Sequence, residues 1–142
     1  MATRVRPLAR IYSLESGASV VEEILKIAKK ERIRTARVEA IGGVNELKIA
    51  FFNHHAKKYE ELVFHEFLEV TGISGNITLK DRKPFLHAHG TFGKRDASVI
   101  GGHLISAKVF PLMEVVITPT KNRATRRFDE KTGLNVIYKI ED

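Results

Sequence analysis

The chain has 142 residues, of which 43% are hydrophobic, and a formal net charge of +7 at pH 7. This length suits one domain with its own core, so we expect residues 1–142 to form a single domain. The sequence contains no cysteine, which excludes disulfides and thiolate ligands, and no apolar run approaches the roughly 18–20 residues of a membrane helix. We therefore predict a cytoplasmic protein without membrane contact.

The first third of the chain predicts one strand and one helix. Residues 5–14 alternate loosely between apolar and polar side chains, which is typical of a strand. Ser19 and Glu22 have the spacing of a capping box. Apolar residues then recur at helical spacing, namely Val21, Ile24, Leu25 and Ala28. We therefore predict one main helix over about residues 18–31, with its charged face in solvent.

From residue 35 onward the pattern changes to short β segments separated by turn residues such as the pair Gly42 and Gly43. The predicted strands are residues 36–41, 47–52, 62–70, 75–79, 85–92, 105–110, 114–118 and 134–140. No linker or repeat divides them. Together these segments predict an α+β fold, with a mainly antiparallel β-sheet of several short strands and one main flanking helix.

Three histidines are the strongest candidates for a functional site. His87 and His89 lie two residues apart in a predicted strand, so their side chains should project from the same face. His103 follows Gly101 and Gly102, which allow the backbone to turn sharply or to approach another group closely, because glycine has no Cβ. Zinc at a reactive site commonly takes three protein ligands and keeps one open position. The spacing alone leaves two interpretations open, a metal site or a hydrogen-bonded polar groove.

Other catalytic signatures are weak. Glu66, Glu69 and Glu114 are predicted in strands, where each would act as a general base, orient a histidine or simply face solvent. The sequence has no phosphate-binding glycine loop, serine nucleophile elbow or carboxylate pair of diagnostic spacing. These observations favour a binding module over an enzyme and predict no organic cofactor.

Basic residues cluster in segments 80–83, 94–95 and 121–127, all predicted as loops. Lysine and arginine neutralise phosphates, so these loops would form a DNA-binding patch if they meet. A composition that lacks glutamine and cysteine and has 29% charged residues is also thermophile-like, which gives the charge a second explanation. The segment Arg4-Val-Arg-Pro7 resembles the core of an AT-hook, but valine replaces the glycine that permits deep insertion into DNA.

Four segments of the chain form a recognisable pattern, namely LEVTGISGNI at 68–77, PFLHAH at 84–89, DASVIGGHL at 96–104 and EVVI at 114–117. Together they resemble the plant and prokaryote conserved domain, the PPC or DUF296 family. The His-x-His segment followed by Gly-Gly-His-Leu is the specific part, and the resemblance covers nearly the full chain. It departs at Ala97, where the family usually has glycine. The resemblance implies a mainly antiparallel sheet with a flanking helix, assembled as a homotrimer.

The resemblance also implies a metal site. Some prokaryotic relatives look like zinc binders through three histidines that map onto His87, His89 and His103, while in plant relatives the domain follows AT-hooks in nuclear DNA-binding proteins. We therefore expect a non-enzymatic, homotrimeric binding module, DNA-associated or regulatory, that holds zinc in a three-histidine cleft. The alternative is a metal-dependent enzyme that acts on a small anionic substrate, with Glu114 or Glu69 assisting.

Overall fold

The computed structural model describes residues 9–142 as a β-rich fold with one helix, so the AT-hook-like segment at 4–7 lies outside the described residues. The elements in chain order are β1 (Arg10–Glu15), α1 (Val20–Lys30), β2 (Ala36–Asn53), β3 (Lys58–Phe64), β4 (Leu68–Lys80), β5 (Lys83–Gly93), β6 (Val99–Pro119), β7 (Arg123–Asp129) and β8 (Leu134–Glu141). All strand pairs are antiparallel except β4 with β7. The predicted α+β class is confirmed, in a mixed sheet that is mainly antiparallel.

Two pairs of predicted short strands are single long strands. Segments 36–41 and 47–52 both belong to β2, and segments 105–110 and 114–118 both belong to β6. The glycines predicted as turns lie inside these strands, because they allow neighbouring backbones to approach closely. Gly42 has φ +143°, lies at a bulge, and a Cβ there would be 2.6 Å from the Cα of Met113. The prediction of a turn at Gly42 was therefore wrong.

Two other boundaries also differ from prediction. The predicted strand 62–70 is split into β3 and β4 by a loop at residues 65–67. Residues 123–127, which were predicted as part of the basic loop 121–127, belong instead to strand β7, which pairs with β8. The order of apolar and polar residues in β7 does not alternate cleanly, since Arg126 takes a buried position. Because a charged residue occupies this inward position, the sequence pattern did not indicate a strand.

The helix lies close to its predicted position. It spans Val20–Lys30, and Ser19 is its extended N-cap residue, although the hydroxyl makes no capping hydrogen bond. Val20, Ile24 and Ala28 are fully buried and belong to the hydrophobic core. The periodic apolar stripe therefore anchors the helix, and the predicted capping box does not form.

Four long strands close a ring of antiparallel pairings in the order β2, β6, β5 and β4, with β4 pairing again to β2. Strand β1 adds to β6, strand β3 adds to β2, and the β7–β8 pair adds to β4. One hydrophobic core includes residues of this ring and of α1. Within residues 9–142, no helix is both long and apolar enough to cross a membrane. The ring leaves the second face of β5 and β6 outside the core, and the three histidines lie there.

Candidate metal centre

The register between β5 and β6 brings the three histidines together. His89 lies directly opposite His103 in this antiparallel pair. His87 precedes His89 by two residues and shares its face, while Ala88 between them is buried in the core with 3% exposure. The strand alternation expected for His87 and His89 is therefore confirmed, and the pairing adds His103.

The imidazoles are close enough to share one ion. Their ring centroids are separated by 5.1 Å for His87 and His89, 5.4 Å for His87 and His103, and 5.5 Å for His89 and His103. One ligand atom from each residue lies within 4.8 Å of the others, and the Nε2 atoms of His87 and His89 are 3.3 Å apart. Two nitrogens at about 2.0–2.1 Å from a tetrahedral zinc ion are themselves about 3.3 Å apart. The donor set therefore fits zinc.

The electrostatics of the site keep His87 and His103 neutral near pH 7. Burial lowers the pKa of His103 to about 4, and the neighbouring His87 and His89 add to the shift. Burial also lowers the pKa of His87, with smaller contributions from Arg126 and His89. Neutral imidazole is the form that binds a metal, so no proton has to leave these two rings near pH 7. The Nδ1 atom of His103 is buried without a hydrogen-bonding partner in the described chain, and such an atom calls for a ligand or water.

Two glycines let the strands around the histidines pack closely. A Cβ on Gly75 of β4 would be 2.7 Å from the Cα of Ala88 and would overlap the carbonyl of His87. A Cβ on Gly102 would be 2.9 Å from the carbonyl oxygen of Ala50 in β2. The sequence predicted either a turn or a close approach at Gly102, and the structure shows the close approach.

The histidines open into a cavity of about 770 Å³. Strand β3 contributes Tyr59, whose ring stacks on His103 with centroids 4.5 Å apart and planes inclined by 24°. Strand β7 contributes Arg126, and residues 134–137 of β8 form much of the opposite wall. Sequence analysis missed Tyr59 and Arg126, because only the pairing of distant strands brings them to the histidines. A buried arginine in a basic segment gives no local signal.

The carboxylates considered as general bases lie elsewhere. Glu66 is in the loop before β4, not in a strand as predicted, and accepts a 3.0 Å hydrogen bond from Lys94. Glu69 is exposed at the start of β4. Glu114 lines a neighbouring groove of about 990 Å³ that shares His89 with the cavity. None of the three carboxylates lines the cavity in which all three histidines meet.

The basic segments do not form one patch. Lys80 pairs with Arg126 of β7, so the turn at 80–83 lies beside the later part of that strand. Segment 94–95 follows β5 and lies at the opposite end of that 11-residue strand. Arg126 is buried and unavailable to a phosphate backbone. The exposed basic end of the molecule therefore consists of residues 80–83 and Arg127.

Several solved structures are similar to this chain. The chain is similar to a metal-containing protein from Archaeoglobus fulgidus, with 35% identity and a TM-score of 0.87 over 93% of this chain and 94% of that chain. It is similar to a "putative dna binding protein" from Bacteroides thetaiotaomicron, with 29% identity and a TM-score of 0.88 over 95% and 94% of the two chains. It is also similar to a plant- and prokaryote-conserved (PPC) protein from Pyrococcus horikoshii, with 28% identity and a TM-score of 0.86 over 94% and 93%.

The family follows from a match to the sequence as well. No curated protein matches the chain. The family model of the Plants and Prokaryotes Conserved (PCC) domain matches residues 9–121, which include β1 to β6 and all three histidines of the site. This match confirms the resemblance inferred from residues 68–117, and the chain belongs to the Plants and Prokaryotes Conserved domain family.

Proposed function

We propose that this chain is a metal-binding module in which His87, His89 and His103 hold one zinc ion. The convergence of three imidazoles from two paired strands carries the proposal. Three nitrogen ligands with no thiolate and no carboxylate favour zinc over the oxygen-preferring magnesium and calcium. The similarity to a metal-containing protein at 35% identity supports the same conclusion.

The chain's own residues would orient and limit such a site. Tyr59 stacks on His103 and restricts the rotation of its ring. Burial raises the pKa of the Tyr59 phenol, although the nearby Arg126 opposes the shift, so the hydroxyl remains a proton donor at neutral pH. Zinc bound by three protein ligands supplies a Lewis acid with one open position.

Elemental analysis tests the site. Untagged protein purified without added metal or chelator is compared with His87→Ala, His89→Ala and His103→Ala, and with the control His55→Ala at the exposed turn after β2. We expect close to one zinc per chain in the wild type and control and loss of zinc in the other three variants. Absence of zinc from wild-type protein, even after zinc is supplied, would make the histidines a hydrogen-bonded polar groove.

We also propose that the module assembles as a homotrimer. Large apolar side chains are exposed on several strands, with Ile11 76%, Phe51 70% and Ile140 62% accessible. Exposed apolar side chains mark a protein interface where they form a contiguous patch, and a trimer would cover such a patch. Light scattering after size exclusion should give three times the mass of the chain, and the mass of one chain at micromolar concentration would contradict this.

Association with DNA is a second candidate function. The net charge of +7 and the basic end formed by residues 80–83 and Arg127 favour it, and one relative is named a "putative dna binding protein". Binding through phosphates should weaken steeply between about 50 and 200 mM salt, because counterions are released. Fluorescence anisotropy with duplex DNA tests this, using Arg82→Glu and, as a control on the helix, Lys29→Glu. No binding at low salt would contradict it.

A metal-dependent enzyme that acts on a small anion is the alternative to a binding module. The cavity favours this alternative, because it places Tyr59 and Arg126 beside the histidines. The missing element is a carboxylate base, since none lines the cavity in the described chain. If the chain is such an enzyme, His89→Ala should abolish turnover and leave the assembly intact.

A further inference from the structure

Arg126 is a buried cation whose charge is not neutralised by any acidic side chain of this chain. Its exposed fraction is 8%. Among residues 9–142 no carboxylate oxygen lies within ion-pair distance of it, and residues 1–8 contain neither aspartate nor glutamate. Buried charges in proteins are normally paired or bound to an ion of opposite charge. The missing partner of Arg126 is therefore to be sought in the cavity that it lines.

Neutral acceptors hold the guanidinium in place. Its Nε donates to the hydroxyl of Thr78 at 2.9 Å, one terminal nitrogen donates to the carbonyl of Asn135 at 2.8 Å, and the other donates to the side-chain oxygen of Asn76 at 3.0 Å. A guanidinium has five N–H donors, so each terminal nitrogen keeps one donor free of these bonds. Two such donors match the two oxygens of a carboxylate, and the group is already oriented before a ligand arrives.

The rest of the cavity suits the body of an organic acid. The Phe85 ring lies 5.6 Å from the guanidinium carbon, and Phe52, Val136 and Ile137 add apolar wall. The side-chain oxygen of Asn135 in the same wall is buried without a donor in the described chain. A volume of about 770 Å³ is in the range of small-molecule sites. Arg126 and residues 134–137 lie after residue 121, where the family match ends.

We propose that Arg126 is the anion-binding residue of this cavity, and that the cavity takes a small carboxylate with an apolar body. A monoanion matches the single positive charge and the two free donors better than a phosphate dianion does. The carboxylate binds Arg126 while the opposite end of the ligand reaches the histidines. The binding of the carboxylate by Arg126 does not depend on zinc, because the contacts of Arg126 involve no histidine. The inference rests on the proposed zinc site only for the contact between the other end of the ligand and the histidines.

Calorimetric titration tests the inference on metal-free and zinc-loaded protein. The probes are benzoate, hexanoate and acetate, with benzamide as the neutral match for benzoate and inorganic phosphate as the competing anion. The variants are Arg126→Gln and the control Arg127→Gln, whose side chain is exposed on the same strand. We expect at least one carboxylate to bind wild type and control, benzamide to bind at least tenfold more weakly than benzoate, and Arg126→Gln to lose at least tenfold in carboxylate affinity with its zinc content unchanged.

Several results would overturn the inference. These are carboxylate affinity equal in wild type and Arg126→Gln, no binding of any of the three carboxylates to wild type, or tighter binding of phosphate. If Arg126→Gln does not fold, the comparison of benzoate with benzamide on wild-type protein decides the question. Carboxylate binding to a wild-type protein that takes up no zinc would refute the proposed function and leave this inference standing.

Discussion

The two faces of β5 and β6 differ in what covers them. On the inner face Ala88, Phe92 and Leu104 are buried at 6% exposure or less in the hydrophobic core that also contains α1. On the outer face His87 and His103 are half-buried and His89 is exposed. One step along a strand changes the environment from packed hydrocarbon to an open cavity. Stability and binding can therefore be separated by neighbouring substitutions in the same strand.

The β7–β8 pair, which covers the outer face, is attached to the sheet by fewer strand pairings than the strands of the inner face. The β7–β8 pair, which carries Arg126 and the wall of the cavity, joins β4 through only two residue pairs, Leu79 with Thr125 and Lys80 with Arg126. The inner face is held by the full ring of long strands. This difference suits a cavity whose contents exchange with solvent.

The largest expected effect comes from the inner face. Phe92 is completely buried, so Phe92→Ala should lower the free energy of unfolding by about 3–5 kcal/mol through lost burial and a residual cavity. Urea denaturation measures the loss. The folded fraction should retain its zinc, because the histidines face the other way. A loss below about 1 kcal/mol would show that the inner face is not the tightly packed one.

The matched change on the outer face is His89→Ala. We expect zinc affinity to fall by more than about 100-fold, which exceeds the usual effect of losing a group that only orients a ligand. The stability of metal-free protein should change by less than about 1 kcal/mol, because His89 is exposed. Competition with a zinc-sensitive chelator measures affinity. If His89→Ala lowers the stability of the protein but leaves zinc affinity unchanged, the outer face contributes to stability and not to metal binding, which contradicts the account.

Acid should destabilise metal-free protein through the outer face. The pKa of His103 is lowered to about 4 in the folded state, whereas unfolded histidine titrates near 6.5. Between these values the unfolded chain binds more protons, so stability falls as pH falls from about 6.5 to about 4, by at most about 1.4 kcal/mol per pH unit. His103→Gln should lack this component. Urea denaturation at a series of pH values measures the stability of wild type and variant. If both lose stability equally as the pH falls, the lowered pKa of His103 is contradicted.

The smallest effect concerns the turn between β5 and β6, which sets the register of both faces. Ala97 has φ +66°, a left-handed conformation that favours glycine. Ala97→Gly should raise stability by up to about 1 kcal/mol. Ala56→Gly, in the turn before β3 and without a positive φ, should lower it. Thermal denaturation measures both, and a loss of stability in Ala97→Gly would contradict the argument.

Local patterns predicted the parts of the fold that depend on nearby residues. The apolar stripe of α1 and the alternation around His87 and His89 were confirmed because both reflect one element packing on the core. The continuity of β2 was missed because Gly42 was interpreted as a turn. In the structure this glycine allows close approach between strands, a requirement set by a neighbour far away in sequence.

The site was predictable to the same extent. The three histidines were found from spacing and from a family resemblance, and the register of β5 with β6 brings them together. Tyr59 and Arg126 were not found, since only the placement of β3 and β7 carries them to the cavity. His65, predicted in a strand, lies in the loop after β3 because the chain leaves the sheet there. Pattern analysis cannot detect residues whose role depends on long-range pairing.

The most direct test of the outer-face account is anomalous diffraction at the zinc edge, from crystals of wild-type protein supplied with zinc. We predict one strong peak at about 2.0–2.1 Å from a nitrogen of each of His87, His89 and His103. A peak bound instead at His54 or His55, or no peak among the three imidazoles, would contradict the claim that this face of the sheet is a metal centre.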